Sequence, residues 1–201
     1  MQLFLRLTTT LGLFGVLGAC GAAGDGKPDA PTAKGPGAVL RCQSSASGAN
    51  AFDTYGATAF VAVNEEIFTL VGTEVTTHGA SNLGDSFGKI GSGNPASTTH
   101  DAATFKGNLA AFLVFAYGGP TEITYTDGKT YAGEQDMPTA HTGLNITAAQ
   151  YDYFIANIVV PALINKGVKH GAGTAADPND ISSCFAPVVT DPSFKASIVG
   201  K

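Results

Sequence analysis

The sequence predicts an all-α protein with long loops. Three observations carry that expectation. Apolar residues recur at steps of three and four wherever the chain is strongly periodic. Glycine and proline stand where those periodic stretches stop. The 201 residues are 44% hydrophobic and only 13% charged, which suits one buried core and is short for two.

The elements follow in chain order. "TAFVAVNEEIFTLVG" places Phe60, Val63, Ile67, Phe68 and Val71 on one inward face, and a single Gly56 precedes it. A stretch rich in Gly, Ser and Asn from Gly79 to Ser97 reads as a loop. "THDAATFKGNLAAFLVFAYGGP" sets Phe105, Leu109, Phe112, Leu113 and Ala116 on a second face, with Gly118, Gly119 and Pro120 as its stop. "TYTDGKTY" reads as a tight turn or small hairpin insertion around Asp127 and Gly128.

The longest stripe lies in "TAAQYDYFIANIVVPALINKG". Tyr151, Phe154, Ile155, Ile158, Val159, Ala162 and Leu163 share it, Thr147 and Gln150 have capping-box spacing, and Gly167 supplies the end. Pro161 is expected to kink this helix without ending it, because the stripe continues past it. Near the carboxyl end, "DPNDISSCFAPVV" and "DPSFKASIVG" each open on Asp-Pro, a cap and first turn for a short helix.

The amino terminus carries an address. "MQLFLRLTTTLGLFGVLGAC" has one cation, Arg6, followed by an apolar run from Leu7 to Leu17 that is too short for a permanent membrane span and ends in small residues. Residues 1–19 therefore read as a secretion signal peptide. The closing "LGAC" resembles the lipobox of bacterial lipoproteins, and the resemblance makes Cys20 the lipidated anchor, held durably to a membrane by two or more acyl chains. Residues 20–41 read as the lipidated cysteine and a flexible tether. The segment "GAAGDGKPDAPTAKGPG" holds no large apolar side chain and would span about 25 Å as a flexible chain. The folded domain is expected over residues 42–201. Export also permits a disulfide, and Cys42 with Cys184 is the pair left once Cys20 is consumed. Closing so long a loop is worth up to about 5 kcal/mol. Two buried free thiols are the other reading of the same cysteines.

A net charge of −5 and a pI near 5.2, with no cluster of Lys and Arg, argue against nucleic-acid binding through a basic surface. The four histidines, His78, His100, His141 and His170, are far apart in sequence and make no H-E-x-x-H, so zinc chemistry has little support. No G-x-S-x-G nucleophile elbow occurs either. His78 and His170 read as solvated loop residues.

His141 keeps different company. "AATFKGNLAAFLVFAYGGP", then "YAGEQDMPTAHTGLNI", then "TAAQYDYF" resemble the truncated haemoglobins of the first group, over most of residues 52–187 and most specifically around His141. In that family a distal helix ends in Gly-Gly, a Y-x-G-x-x-M loop follows, and A-H-x-G-x-x-I supplies the proximal histidine on haem iron. The resemblance implies a truncated globin-like helical sandwich, two helices over two, holding a non-covalent haem b.

Carried over position by position, His141 is the iron ligand. Met137, Ile146, Tyr151 and Phe154 are the residues packed on the haem from the same side. Phe105, Leu109 and Phe112 face it from the distal helix, Phe68 stands where the family has a tyrosine, and Phe87 falls near a phenylalanine that leans on the haem. His100 lies more than one turn before Phe105, so ligating iron from the distal side would require that helix to slide or unwind. A haem slot asks for apolar walls, one neutral imidazole and an open sixth position, and residues of these types meet that need.

The chain departs from the family in three places. The segment from Gly119 to His141 is longer, with one extra residue between Gly133 and Met137. The usual Gly-Gly before the first long helix is Gly56 alone. The distal positions Phe68, Phe105 and Leu109 offer no hydrogen-bond donor. Dioxygen on iron carries partial negative charge, so losing a charge-assisted hydrogen bond of about 1.5 to 3 kcal/mol predicts fast dioxygen release and a relative preference for nitric oxide or carbon monoxide.

The function so implied is a membrane-tethered, exported haem protein that binds a diatomic gas for binding, sensing or scavenging. Two other classes stand beside it: a haem enzyme that oxidises nitric oxide to nitrate with dioxygen and a partner reductase, and a globin-frame lipoprotein without haem.

Overall fold

The computed structural model describes residues 51–91, 102–168 and 186–201. The signal peptide, Cys20, the tether, Cys42, Cys184, His100, His170 and the Asp-Pro cap at 177–178 lie outside the described residues. What is described is mostly helical, as the periodicity predicts.

Helix α1, Ala51–His78, is two helices joined across a kink at Gly56, whose φ of 74° lies in the left-handed region that glycine adopts without strain. Beyond the kink, Phe60, Val63, Ile67 and Val71 are buried, while Phe68 is half-buried on the flank of the same face. The helix runs on through an exposed threonine-rich end in which Thr69, Thr73, Thr76 and Thr77 each donate to the carbonyl four residues back.

Within the stretch expected to be a loop, a short helix α2, Ser86–Gly91, follows a run of turns. Helix α3, Ala102–Ala116, is buried from Ala110 onward. It ends as its glycines dictate: Gly118 takes φ 98° and donates to the Phe115 carbonyl at 3.0 Å, and Gly119 donates to Val114 at 2.9 Å, the paired bonds of a Schellman stop.

The insertion is a hairpin. Strands β1, Glu122–Thr124, and β2, Thr130–Ala132, pair antiparallel with Ile123 opposite Tyr131, and Gly128 turns the chain at φ 79°. It docks on α3 where that helix has no side chain to obstruct it, because a Cβ on Gly107 would strike the Tyr131 ring. A polar knot fixes the dock. Asn64, fully buried, donates to the Lys106 carbonyl at 3.0 Å and to the Tyr125 hydroxyl at 3.2 Å. Tyr125 in turn donates to Glu65, which also pairs with Lys106 at 3.1 Å.

Helix α4, Met137–Ala140, is a single turn. Helix α5, Ala148–Phe154, opens on the expected capping box: Thr147 Oγ1 accepts from the Gln150 amide at 3.2 Å, and Gln150 Oε1 accepts from the Thr147 amide at 2.8 Å. The chain then widens into a π-turn, Ile155–Val159, before helix α6, Val160–Asn165. The expected kink at Pro161 therefore takes the form of a π-bulge just before it. Proline has no N–H and its ring crowds the carbonyl four residues back, so the preceding turn opens until Val160 donates to Ile155, five residues away. The extra residue turns the stripe: the π-turn and α6 pack on α1, while Ile155 and Val159 face a cavity.

Helices α7, Ala186–Thr190, and α8, Pro192–Ala196, close the chain, with Asp191 accepting from the Phe194 amide at 2.8 Å as the Asp-Pro cap predicts. The final residues run back beside the segment after His141. The Asn145 amide donates to the Lys201 carbonyl at 2.6 Å, and Gly200 donates to Ile146 at 2.9 Å.

Candidate functional site

The site is assembled around His141. Pro138 stiffens the first turn of α4 and Thr139 donates to Asp136 at 2.6 Å, so the turn is held from both ends of its short length. His141 caps that turn. Its backbone amide donates to the Met137 carbonyl at 3.1 Å, and its ring Nδ1 lies 2.8 Å from the same carbonyl. A carbonyl can only accept, so the proton sits on Nδ1 and the lone pair on Nε2. Burial lowers the pKa of the ring below its ordinary value, outweighing the Met137 carbonyl, which acts in the opposite direction. The imidazole is thus neutral, oriented and of fixed tautomer. Nε2 has no hydrogen-bond partner among the described residues.

The ring lines a cavity that separates α3 from α4 and α5. The cavity volume is about 150 Å³, below the roughly 300–1,000 Å³ of typical small-molecule sites, and the cavity is partly open to solvent. Its walls are almost wholly apolar. Phe105, Leu109, Phe112 and Leu113 of α3 form one side, Met137, Leu144, Ile146, Tyr151, Phe154 and Ile155 the other, and Phe87 of α2 joins them. The aromatic rings interlock: Phe87 lies 5.5 Å from Phe154 and 6.0 Å from Phe105, centroid to centroid.

Most of the residues that the sequence singles out come together at one cavity. Phe87, Phe105, Leu109, Phe112, Met137, His141, Ile146, Tyr151 and Phe154 all line this one cavity. Phe68 is not among the lining residues. It packs edge-on behind Phe105 at 5.4 Å, beneath the Lys106 ammonium at 4.8 Å, one layer removed from the cavity. His78 is the last residue of α1 and pairs with Glu74 at 3.1 Å, on the exposed surface.

Two further groups at the cavity have little local signature in the sequence. One is the carboxyl-terminal wall of Val189, Phe194 and Ile198, which closes the cavity. Phe194 stacks on Phe112 at 6.1 Å, Tyr151 donates to the Val189 carbonyl at 2.8 Å, and Lys195 pairs with Asp152 at 2.5 Å. The apolar spacing of "SFKASIV" was the only signal for it. The other is a set of polar side chains on the walls, Ser86, Asn108, Gln135 and Gln150. Asn108 was legible as a helix-face residue three after Phe105 and four before Phe112.

Among the described residues, no three His, Cys, Asp or Glu side chains meet to hold a metal ion, and no helix is long and apolar enough to cross a membrane. No family model matches the chain, and neither curated proteins nor solved structures provide a match.

Proposed function

We propose that this chain is an exported, membrane-tethered protein that holds haem b between α3 and α4–α5, with His141 as proximal ligand, and binds a diatomic gas there. One observation carries the reading: a neutral imidazole of fixed tautomer, its Nε2 free, on the wall of an apolar slot. The donor set fits the group. A bare ion would find one protein nitrogen at this point, whereas a tetrapyrrole brings four nitrogens of its own and needs one axial imidazole and apolar faces. The globin-like two-over-two arrangement and the lipid anchor at Cys20 belong to the same proposal.

The haem would supply an iron centre on which a diatomic gas can bind. The chain's own residues do the rest. The Met137 carbonyl keeps the proton on Nδ1 and so aims Nε2, a hydrogen bond of the kind that orients ligating histidines in general. Burial keeps the ring from charging, which a ligand requires. Phenylalanine side chains on both walls would present apolar surface to a flat apolar disc. Gas binding, sensing or scavenging is the role this favours over turnover, since oxidation of nitric oxide would need a reductase in addition.

Haemin titration of the purified protein tests the reading. The expected result is one haem per chain with a Soret band whose ferric, ferrous and carbon-monoxide spectra report a single histidine ligand, and loss of that ligation in His141→Ala. A colourless protein that takes up no haemin would leave the globin-frame lipoprotein without haem as the surviving alternative.

A further inference from the structure

The cavity beside His141 has a size, a wall chemistry and one polar anchor, and the three together define a small molecule. Its volume is about 150 Å³, and an engineered apolar cavity of about that size, lined by Leu, Ile and Phe, binds benzene. Phe87, Phe105, Phe112 and Phe154 stand on its walls with Met137 and Ile155, so an aromatic guest meets ring edges and a polarisable sulfur. No Lys, Arg, Asp or Glu is among the side chains that line it. A charged guest would lie unpaired in apolar surroundings and is disfavoured. The anchor is His141. Because its Nδ1 proton is committed to the Met137 carbonyl at 2.8 Å, Nε2 is left as an acceptor without a partner among the described residues. Nε2 is not one of the polar atoms sealed inside the protein without a bond, so it reaches the open space beside the ring. A guest must therefore bring the donor.

We infer that the haem-free chain binds in this cavity a neutral, single-ring aromatic molecule with one hydrogen-bond donor, a phenol being the simplest case, its hydroxyl donating to His141 Nε2. The inference stands on the cavity and its imidazole and does not rest on the haem reading. Haem and a phenol would need the same nitrogen, so each excludes the other. The hydroxyl sets the preference within the class: a ring without a donor would strip water from Nε2 and give it nothing in return.

Isothermal titration calorimetry of the full chain, free of haem and near neutral pH where phenol keeps its proton, tests this. Phenol is compared with anisole, in which a methyl group replaces the donor proton, and with benzoate, which carries a charge. Phenol should bind one per chain and about tenfold more tightly than anisole, and benzoate should not bind. His141→Leu should bring phenol down to the affinity of anisole, while anisole itself changes by no more than about twofold. Should that variant fail to fold, wild type still decides: the nitrogen NMR resonance of His141 Nε2 should move upfield on adding phenol and stay in place with anisole. Absence of phenol binding, equal affinity of phenol and anisole for wild type, or a phenol advantage that survives in His141→Leu would overturn the inference. Because no haem takes part, such a failure leaves the haem reading standing, and a failure of haem uptake leaves this test unaffected.

Discussion

Two regions of this molecule bury polar groups, and they treat them oppositely. In the knot that docks the hairpin, Asn64 donates to the Lys106 carbonyl and the Tyr125 hydroxyl, and Tyr125 and Lys106 donate to the Glu65 carboxylate, although the Oδ1 of Asn64 is left over. Burial and the neighbouring Glu65 carboxylate push the Tyr125 phenol up to about 12, and Tyr125 and Lys106 together hold Glu65 below its usual range despite the desolvation that opposes them. In the cavity, His141 Nε2 and the Asn108 amide have no such partners. Apart from that Oδ1, the knot's polar groups are engaged with one another and serve the fold. The cavity's two groups face open space instead of being sealed in the core, where an occupant could meet them.

That contrast has a signature in stability. The largest effect is expected in the knot: Asn64→Leu removes the donor to Lys106 and Tyr125 and should destabilise by about 2 to 3 kcal/mol in urea unfolding, because buried partners are left without their bond. A loss near zero would mean the knot is ornamental to folding. In the cavity the loss should nearly vanish. His141→Leu in haem-free protein should be near neutral, within about 1 kcal/mol, since the Met137 carbonyl that loses the ring Nδ1 keeps the His141 backbone amide and an apolar side chain of similar size fills the wall. Marked destabilisation by His141→Leu would place the imidazole among the structural groups instead.

Acidification sharpens the same distinction. The folded His141 ring is harder to protonate than the unfolded one, whose ordinary value is 6.5. The unfolded state therefore binds more protons below that pH, and the haem-free protein should lose stability as pH falls through 6.5 and below. His141→Leu should remove that part of the slope; identical pH profiles for the two would show that the ring is not held neutral. The smallest effect is expected far from both regions, at the helix start: Thr147→Ala should cost about 1 kcal/mol or less through the lost cap, with no change in haem uptake.

The same division governs what the sequence made legible. Helices written in continuous stripes with marked ends, such as α3 with its Gly118 stop or α5 with its Thr147 box, could be read residue by residue. So could the set Phe105, Leu109, Phe112, Met137, Ile146, Tyr151 and Phe154, which the sequence groups with His141 and which lines one cavity with it. Long-range geometry could not. The short helix α2 lies in a stretch whose glycines and serines argued for a loop, and it forms through packing that places Phe87 against Phe105 and Phe154. The π-turn needs the proline constraint and the stripe to be reconciled in three dimensions. The knot joins residues some 40 to 60 positions apart, and the Phe194 wall arrives from the far end of the chain, so neither has a local signature. Phe68, which the resemblance sets facing the haem, packs one layer away from the cavity behind Phe105.

The central claim is a bond between His141 Nε2 and an iron atom, and chemical rescue tests it most directly. His141→Gly, loaded with ferrous haem and carbon monoxide, should lack the spectrum of a histidine-ligated haem, and added imidazole should restore it by entering the space the ring vacated. A histidine-type spectrum that persists in His141→Gly without imidazole would contradict the claim.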